Sequence, residues 1–243
     1  MTNPTAAMLV IGDEILSGRT RDANMHHLAG VLTDHGIDLR EVRVVSDDAD
    51  AIVAATQALS TAFDHVFTSG GIGPTHDDIT ADCIARAMGA PIDVRADAHA
   101  ILQAHYDRQG SELNAARLRM ARIPDGATLI DNPVSAAPGF TLGNVHVMAG
   151  VPAVFQAMVA SLMPHLTGGQ PLHSATVRIN RGEGDIAGPL GEMADAHPDL
   201  SFGSYPFIKD GRFGANIVVR GADADAVTTA IDALAAAFPG DTE

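Results

Sequence analysis

The segment from residue 69 to residue 80, Ser-Gly-Gly-Ile-Gly-Pro-Thr-His-Asp-Asp-Ile-Thr, contains the residue types that bind phosphate. Glycines let the backbone approach a ligand closely, and the amides at the N-terminus of a following helix direct positive partial charge towards it. The segment lies between a predicted strand and a predicted helix. The residues expected to bind phosphate are therefore Ser69, Gly70, Gly71, Gly73 and Thr75. The alternative is an ordinary strand-to-helix turn, in which Asp and Thr only cap the helix.

Two carboxylates, Asp77 and Asp78, stand within this anion-binding loop. Two carboxylates repel a phosphate unless a divalent cation lies between them. We therefore expect a divalent metal ion (Mg²⁺, Mn²⁺ or Co²⁺) as a cofactor, with Asp13, Asp77 and Asp78 as its ligands. The acidic composition supports this expectation, because an acidic protein that handles an anionic ligand needs a cation to reverse the local field.

Acidic residues also follow the first two predicted strands, as Gly12-Asp13-Glu14 and as Asp47-Asp48. In an open parallel sheet, the loops at the carboxyl ends of the strands meet at one edge, where ligands bind. The predicted catalytic residues are Asp78, Asp47 and Glu14, and either Asp47 or Glu14 would orient an attacking water. For Asp47 and Asp48 the alternative is that they simply begin a helix.

Four further residues are expected to border the ligand cleft: Asp22, Asn24, His76 and Pro152. Asp22 and Asn24 stand where the first long helix begins, so helix capping is the alternative for both. Gly150 precedes Pro152 in a second strand-turn-helix sequence, and we expect it to contact phosphate. Cys83 lies on the apolar stripe of a predicted helix and is expected in the core.

The alternation of short apolar runs with helical patterns predicts an α/β fold. Runs at 6–11, 65–68 and 145–148 alternate with helices, as in βαβ units around a parallel sheet. At 167–171 two glycines and a proline interrupt every periodic pattern and indicate a linker. We therefore predict two domains, residues 1–168 and a small βαββα domain over residues 172–243.

Composition excludes several classes of partner. The chain of 243 residues has 30 Asp and Glu against 15 Lys and Arg, a formal charge of −15 at pH 7 with His neutral. Nucleic acid is not expected as a partner, because no Lys or Arg cluster is present to displace its counterions. No run of 18 apolar residues and no signal-peptide pattern occur, so we expect a cytoplasmic protein without a membrane partner. A single cysteine excludes an intrachain disulfide.

Four ordered motifs resemble the molybdopterin-binding-like family: residues 11–18, 22–24, 69–80 and 149–152. Its members include the molybdopterin adenylyltransferases of the MoaB and Mog type, the molybdenum insertases, the N-terminal domain of CinA (competence/damage-inducible protein) and the N-terminal domain of eukaryotic FAD synthase. The chain is most similar to the last two. A Gly-Ser-Tyr-Pro segment at 203–206 extends the resemblance to nearly the whole chain.

The resemblance implies a three-layer α/β/α sandwich with a mostly parallel sheet, and a small-molecule ligand with a nucleotide or pterin phosphate group. In the adenylyltransferases and insertases, the residues equivalent to Asp78 and Asp47 are functional. The CinA and FAD synthase domains are associated with divalent-metal-dependent hydrolysis of nucleotide diphosphates such as ADP-ribose or FAD. The family also implies a homo-oligomer, either a dimer or a trimer.

The sequence departs from the family pattern at two site positions. Many CinA chains carry Lys where this chain has His76, and the adenylyltransferases carry a basic residue where it has Asp77, which disfavours adenylyl transfer to molybdopterin. The leading prediction is therefore a nucleotide pyrophosphatase that releases AMP. The alternative is a non-catalytic molybdopterin-binding or molybdenum cofactor biosynthesis protein. CinA's C-terminal amidase and the FAD-synthesising domain have no counterpart here, so neither activity is expected.

Overall fold

A computed structural model describes residues 3–209 and 211–242. It divides the chain into two compact units, of which the first ends at Gly169 and the second begins at Gln170. This boundary falls within the Gly- and Pro-containing segment at 167–171, where the periodic patterns stop.

The first unit is built on a six-stranded sheet. Its strands are β1 (Thr5–Ile11), β2 (Asp38–Val45), β3 (His65–Ser69), β6 (Thr128–Ile130), β7 (Gly139–Leu142) and β8 (Val145–Met148). Their order is β2-β1-β3-β8-β7-β6. The first four strands are parallel, whereas β7 and β6 are antiparallel to their neighbours. A separate two-stranded ladder pairs β4 (Ile92–Val94) with β5 (Arg122–Pro124).

Helices connect these strands. They are α1 (Asp13–Leu16), α2 (Asn24–Asp34), α3 (Ala49–Ala62), α4 (Thr80–Met88), α5 (Ala96–Arg108), α6 (Ala115–Leu118) and α7 (Pro152–Leu162). Short 3-10 turns follow α6 at Arg119–Ala121 and α7 at Met163–His165.

The central strand β1 shows why the unit has three layers. Successive side chains of a strand point to opposite faces of the sheet. Ala7, Leu9 and Ile11 pack into one buried cluster with residues of α3, α4 and α5, including Leu59, Ile84 and Leu102. The alternate residues Ala6, Met8 and Val10 pack into a second cluster with residues of α2 and α7, including Leu28 and Phe155. Because both faces of the sheet are covered by helices, the predicted α/β/α sandwich with a mostly parallel sheet is confirmed.

The second unit has the element order that the sequence predicts: β9 (His173–Ile179), α8 (Glu183–Ala196), β10 (Ser201–Lys209), β11 (Arg212–Gly221) and α9 (Ala224–Ala237). Its three strands form an antiparallel sheet in the order β10-β11-β9. Val177, Ile217 and Val219 point to the face that packs against α8 and α9, around Ile186 and Leu234.

The prediction from the sequence was incomplete for the strands at the edges of the larger sheet and for the short strands. Val42 and Val44 alternate with Arg43 as on a half-buried strand, but they are 38% and 39% exposed, because β2 is an edge strand. The short strands β4, β5 and β7 were not predicted. Within the described ranges, no helix is long and apolar enough to span a bilayer.

Cys83 is buried, and burial raises the pKa of its thiol to about 11, in keeping with the predicted place in the core.

Candidate functional site

Four parallel strands end at the same edge of the larger sheet. Register pairs Ile11 with Val45, Val10 with Ser69, and Ser69 with Met148. The loops that follow β1, β2, β3 and β8 therefore meet at one edge, as the sequence analysis expected of parallel strands. These loops contain the acidic residues and the glycines that the sequence analysis selected.

The glycine loop after β3 is held tightly against its surroundings. Gly70 and Gly71 have φ values of +110° and +68°, a range that residues other than glycine rarely adopt. A Cβ atom on Gly70 would meet the Ile11 carbonyl oxygen, and one on Gly71 would meet the Thr80 hydroxyl. Thr80 holds this loop in place. Its amide donates to the Gly71 carbonyl and its hydroxyl donates to the Gly70 carbonyl, each at 3.0 Å.

Only some of the residues predicted to bind phosphate have a backbone amide that is not already hydrogen-bonded within the described residues. The amide of Gly70 donates to the Met148 carbonyl at 3.2 Å and is therefore engaged within the sheet edge. The amides of Gly71 and Gly73 have no acceptor among the described residues. They stand next to the N-terminus of α4, where unsatisfied amides attract anions.

A buried asparagine connects the glycine loop to the loop after β8. Asn24 is 2% exposed, and its Nδ2 atom donates to Ser69 Oγ at 2.8 Å and to the Gly150 carbonyl at 2.7 Å. The Oδ1 atom of Asn24 is buried without a hydrogen-bond partner among the described residues. The sequence analysis placed Asn24 in the ligand cleft and Ser69 in the phosphate site. Neither side chain lines the cavity; their hydrogen bonds instead connect the loops that do.

The loops enclose a cavity of about 550 Å³. Four carboxylates line it, and they come from three loops: Glu14, Asp47, Asp77 and Asp78. The wall also contains Gly70, Gly71, Gly73, Gly150 and Pro152. Apolar side chains supply much of the remainder, among them Ile11, Ile72, Met120 and Val154. The cavity can therefore present amides and carboxylates to a charged group and an apolar surface to a ring.

The surroundings of Asp47 raise the pKa of its carboxyl group. Burial raises its pKa above the usual value, a hydrogen bond from the Asp13 amide opposes that shift, and the charges of Asp13, Glu14 and Asp77 raise it further. The Asp13 amide donates to Asp47 Oδ2 at 2.9 Å. A carboxylate that is desolvated among like charges is a better proton acceptor than an exposed one.

Thr75 holds Asp78, one of the two aspartates of the glycine loop. The amide of Thr75 donates to Asp78 Oδ2 at 2.8 Å, and its hydroxyl contacts the same oxygen. Hydrogen bonding from the Thr75 side chain also lowers the pKa of Asp77. Asp78 therefore closes a turn within the glycine loop and lines the cavity, whereas the N-terminus of α4 has no side-chain cap among the described residues. Thr75 itself does not line the cavity.

Several other predicted residues lie outside the cavity wall. The side chain of His76 is 98% exposed, 3.9 Å from Asp77. Asp22 accepts a hydrogen bond from the Met25 amide at 2.9 Å, which is a helix-start interaction. Asp13 offers its amide to Asp47, and its side chain is exposed. Asp48 caps α3 through the Ala51 amide, so only Asp47 of that pair faces the cavity.

Two features of the cleft were missed by the sequence analysis. Arg119 approaches the glycine loop and donates to the Asp78 carbonyl at 3.2 Å, so one cation borders the acidic cleft. The loop from 131 to 138 contributes Asn132, Ser135 and Ala137 to the cavity wall. Asn132 organises this loop, because it accepts from the amides of Val134 and Ser135 and donates to the Ala137 carbonyl. Both features come from sequence segments more than 40 residues away from the glycine loop, and no local pattern indicates that they meet it.

The carboxylates do not form a complete metal site by themselves. Among residues 3–209 and 211–242, no group of three or more His, Cys, Asp or Glu side chains is arranged to hold a metal ion. Asp77 and Asp78 share the cavity with Glu14 and Asp47, but Asp13, the third predicted ligand, does not line it. This donor set fits a divalent cation only if oxygens of the ligand complete the coordination, as they do in many Mg²⁺ sites on phosphates.

The fold and the cleft together define an α/β protein with a cavity, lined by carboxylates and glycines, at the carboxyl edge of a mainly parallel sheet. Comparison with known families then identifies it more closely. Residues 7–168 match the family described as "Probable molybdopterin binding domain". Residues 171–242 match the family described as "FAD synthase, middle domain". The chain belongs to the molybdopterin-binding domain family, which confirms the resemblance inferred from the motifs.

Relatives of known sequence are similar over the first unit or beyond. A CinA-like protein of Citrifermentans bemidjiense is 38% identical over 167 residues, 67% of this chain and 40% of its own length. A protein of Archaeoglobus fulgidus is 31% identical over 199 residues, which cover 82% of this chain and 84% of its own. A protein of Caldivirga maquilingensis is 36% identical, and the match covers 64% of its length. The chain thus spans less than two thirds of some of these relatives.

A solved structure supports the fold assignment. The crystal structure of the protein CinA with unknown function from Thermoplasma acidophilum aligns with a TM-score of 0.61 and 35% identity. The alignment covers 66% of this chain and 98% of the CinA chain. The first unit therefore has the CinA-like form of the fold.

Proposed function

We propose that the first unit is a divalent-metal-dependent nucleotide pyrophosphatase that acts on an ADP-ribose- or FAD-like substrate and releases AMP. The observation that carries the proposal is a cavity lined both by the glycine loop and by a partly buried carboxylate of raised pKa, Asp47. The similarity to CinA-like proteins supports it, because that resemblance implies hydrolysis of such diphosphates.

The glycine loop would bind the diphosphate group. The amides of Gly71 and Gly73 and the N-terminus of α4 offer hydrogen bonds and positive partial charge without a side chain. Arg119, beside the Asp78 carbonyl, adds a full positive charge next to the loop. Preorganised donors of this kind stabilise charge that develops on phosphoryl oxygens.

Asp77 and Asp78 would hold the cation together with the phosphate oxygens. The pKa of Asp77 is lowered, so Asp77 stays ionised, as a cation ligand must be, to more acidic pH than an ordinary aspartate does. A bound divalent cation neutralises charge on the phosphoryl oxygens and lowers the pKa of coordinated water. Without it, four carboxylates around one cavity would repel a diphosphate.

Asp47 would orient the attacking water and accept its proton. The sequence alone left this role open between Asp47 and Glu14, and the raised pKa of Asp47 favours it. The water oxygen forms a bond to one phosphorus while the bridging P–O bond breaks and its electrons remain on the departing phosphate. ADP-ribose would yield AMP and ribose 5-phosphate, and FAD would yield AMP and FMN.

The cavity is large enough for part of such a substrate. Its volume of about 550 Å³ lies within the range of small-molecule sites. The apolar wall formed by Ile11, Ile72 and Val154 would contact a base or flavin ring while the diphosphate lies over the glycine loop. A molybdopterin carrier, the alternative function, would bind its ligand to the same glycine loop and apolar wall but would not activate a water.

The experiment is incubation of the protein with ADP-ribose or FAD and Mg²⁺, Mn²⁺ or Co²⁺, followed by chromatographic measurement of AMP. We expect AMP formation that EDTA abolishes and that Asp78→Asn reduces strongly. AMP formation no faster than in the Asp78→Asn protein would refute hydrolysis. Tight molybdopterin binding by calorimetry, without metal and without product, would instead support the carrier. Light scattering on the same samples tests the predicted homo-oligomer.

A further inference from the structure

Charged and uncharged residues of the cavity wall come from different loops. All four carboxylates that line the cavity follow β1, β2 or β3. The loop from 131 to 138, which follows β6, contributes only the uncharged residues Asn132, Ser135 and Ala137. The segment 149–152, which follows β8, is likewise uncharged.

The strand order places the glycine loop between these two groups. In the sheet, β3 lies between β1 and β8, and β6 is at the opposite edge from β2. Since β6 and β8 are both antiparallel to β7, β6 ends on the same side of the sheet as the parallel strands. A ligand with its phosphates over the glycine loop can therefore extend over the uncharged loops. A neutral group there would not take carboxylates out of water, which is costly.

The loop from 131 to 138 is held by the side chain of Asn132, which is 3% exposed. Its Oδ1 atom accepts from the amides of Val134 at 3.1 Å and Ser135 at 3.0 Å. Its Nδ2 atom donates to Ser135 Oγ at 2.7 Å and to the Ala137 carbonyl at 2.8 Å. These four bonds use the full hydrogen-bonding capacity of the amide. Asn132 therefore positions the loop and has no group left for a ligand.

The same loop contains a strained residue. Ala136 has a φ of +63° and is the one residue other than glycine with a positive φ in the described part of the chain. Such a conformation is unfavourable for alanine and persists where the surroundings fix it. The Ala136 amide donates to the Asn132 carbonyl at 3.0 Å, which closes the loop from a second direction. Ser135, next to Ala136, is therefore preorganised.

The hydroxyl of Ser135 still has a hydrogen to donate. Its oxygen accepts from Asn132, and its hydrogen has no acceptor among the described residues. We propose that Ser135 donates a hydrogen bond to an oxygen or nitrogen of the uncharged group attached to the diphosphate, and so helps to select the ligand. This inference rests on the nucleotide diphosphate ligand proposed above, but not on its hydrolysis.

The test measures binding to the full chain by calorimetry with Mg²⁺ and three ligands that resist hydrolysis. They are methylenediphosphonate, α,β-methylene-ADP and α,β-methylene-ADP-ribose, in which a methylene group replaces the bridging oxygen. Ser135→Ala should weaken binding of the ADP-ribose analogue about three- to tenfold, since one net hydrogen bond is lost. It should leave the affinity for methylenediphosphonate unchanged. An equal loss with the ADP analogue would assign the contact to the adenosine, and no loss with it would assign the contact to the second ribose.

Two further variants separate the hydroxyl from the structure of the loop. Ser135→Thr keeps a hydroxyl for both Asn132 and the ligand, so it should bind more tightly than Ser135→Ala. Ser161→Ala is the matched control, because the Ser161 hydroxyl donates to the Ala157 carbonyl within α7 and does not line the cavity. Its affinities should equal those of the wild type. Circular dichroism checks that each variant is folded.

Three results would overturn the inference: wild-type affinity of Ser135→Ala for both nucleotide analogues, an equal loss with methylenediphosphonate, or a Ser135→Thr protein no better than Ser135→Ala. Failure of the wild-type chain to bind either nucleotide analogue would overturn it together with the proposed ligand. Binding that depends on Ser135, without AMP formation from ADP-ribose, would refute hydrolysis alone and would support the role of Ser135.

Discussion

The backbone amide of Asp13 donates a hydrogen bond to Oδ2 of Asp47 at 2.9 Å, and this bond joins the loops that follow β1 and β2. It holds a half-buried carboxylate on the wall of the cleft although Glu14 and Asp77 add like charge nearby. One hydrogen bond thus positions the group that we propose to accept a proton from water.

Asp47→Asn should therefore reduce AMP formation by about 100-fold or more, the range for loss of a general base. Asp48→Asn is the matched control, because the neighbouring Asp48 caps α3 and does not line the cavity. It should retain most of the activity. Initial rates with ADP-ribose measure both, and similar losses in the two variants would contradict the role of Asp47.

The same substitution should stabilise the fold at neutral pH. The pKa of Asp47 is raised in the folded state, so its ionised form costs stability above that pKa. Asn removes the charge but keeps an oxygen that accepts from the Asp13 amide. We expect a higher melting temperature at pH 7, with the difference from wild type disappearing as the pH falls below the unfolded pKa of about 3.8. A lower melting temperature at pH 7 would contradict this account.

The hydrogen bonds of Asn24 can be tested against those of a second, partly buried asparagine. Asn24→Ala removes donors to Ser69 Oγ and the Gly150 carbonyl, and should lower the free energy of unfolding by about 2 to 3 kcal/mol. Asn144→Ala likewise removes donors to two carbonyls, those of Ser60 and Phe63. Asn144 precedes β8 and so lies at the opposite edge of the sheet from the cleft.

We expect both asparagine variants to lose stability in urea titrations, but only Asn24→Ala to lose activity at temperatures where both are folded. Equal residual activity in the two variants would show that the link from Ser69 to Gly150 does not shape the site.

The steric role of Gly71 can be separated from its backbone conformation. Gly71 and Gly89 both have φ of +68°, so alanine at either position carries the same left-handed cost, of about 1 kcal/mol. A Cβ atom at Gly71 also meets the Thr80 hydroxyl, whereas at Gly89 it meets open space. Gly71→Ala should therefore destabilise more than Gly89→Ala and should also slow AMP formation from ADP-ribose. Equal unfolding free energies would rule out the contact with Thr80 as a constraint.

A histidine pair at the other end of the sheet predicts sensitivity to acid. His65 Nδ1 lies 3.1 Å from His146 Nε2, and His146 Nδ1 lies 2.9 Å from the Thr141 hydroxyl. Burial lowers the pKa of His146 to about 3, and burial also lowers that of His65. The unfolded chain binds protons at these groups near pH 6.5, so stability is full above that pH and declines as the pH falls towards 3.

The decline should be up to about 1.4 kcal/mol per pH unit for each histidine. His146→Gln keeps hydrogen-bonding capacity without a proton to gain, and it should make the pH dependence between 6.5 and 4 shallower. Urea titrations across this range measure the slope, and an unchanged slope in His146→Gln would exclude the pair as its source.

Residue types and their spacing were sufficient to predict the fold class, the glycine loop and the acidic loops after the first two strands. These are local features, because strands, helices and turns follow from periodicity and from glycine and proline over a few residues. The family resemblance was likewise readable from short motifs such as residues 69–80. The order βαββα of the second unit followed from the same local patterns.

The roles of individual side chains depended instead on the pairing of distant segments. Asp47 faces the cavity while Asp48 caps a helix, and Asn24 is buried against Ser69, because strand register and packing set which side of a loop points inward. Arg119 and the loop around Asn132 reach the site from far along the chain. Such relations are long-range, and no local pattern of residue types encodes them.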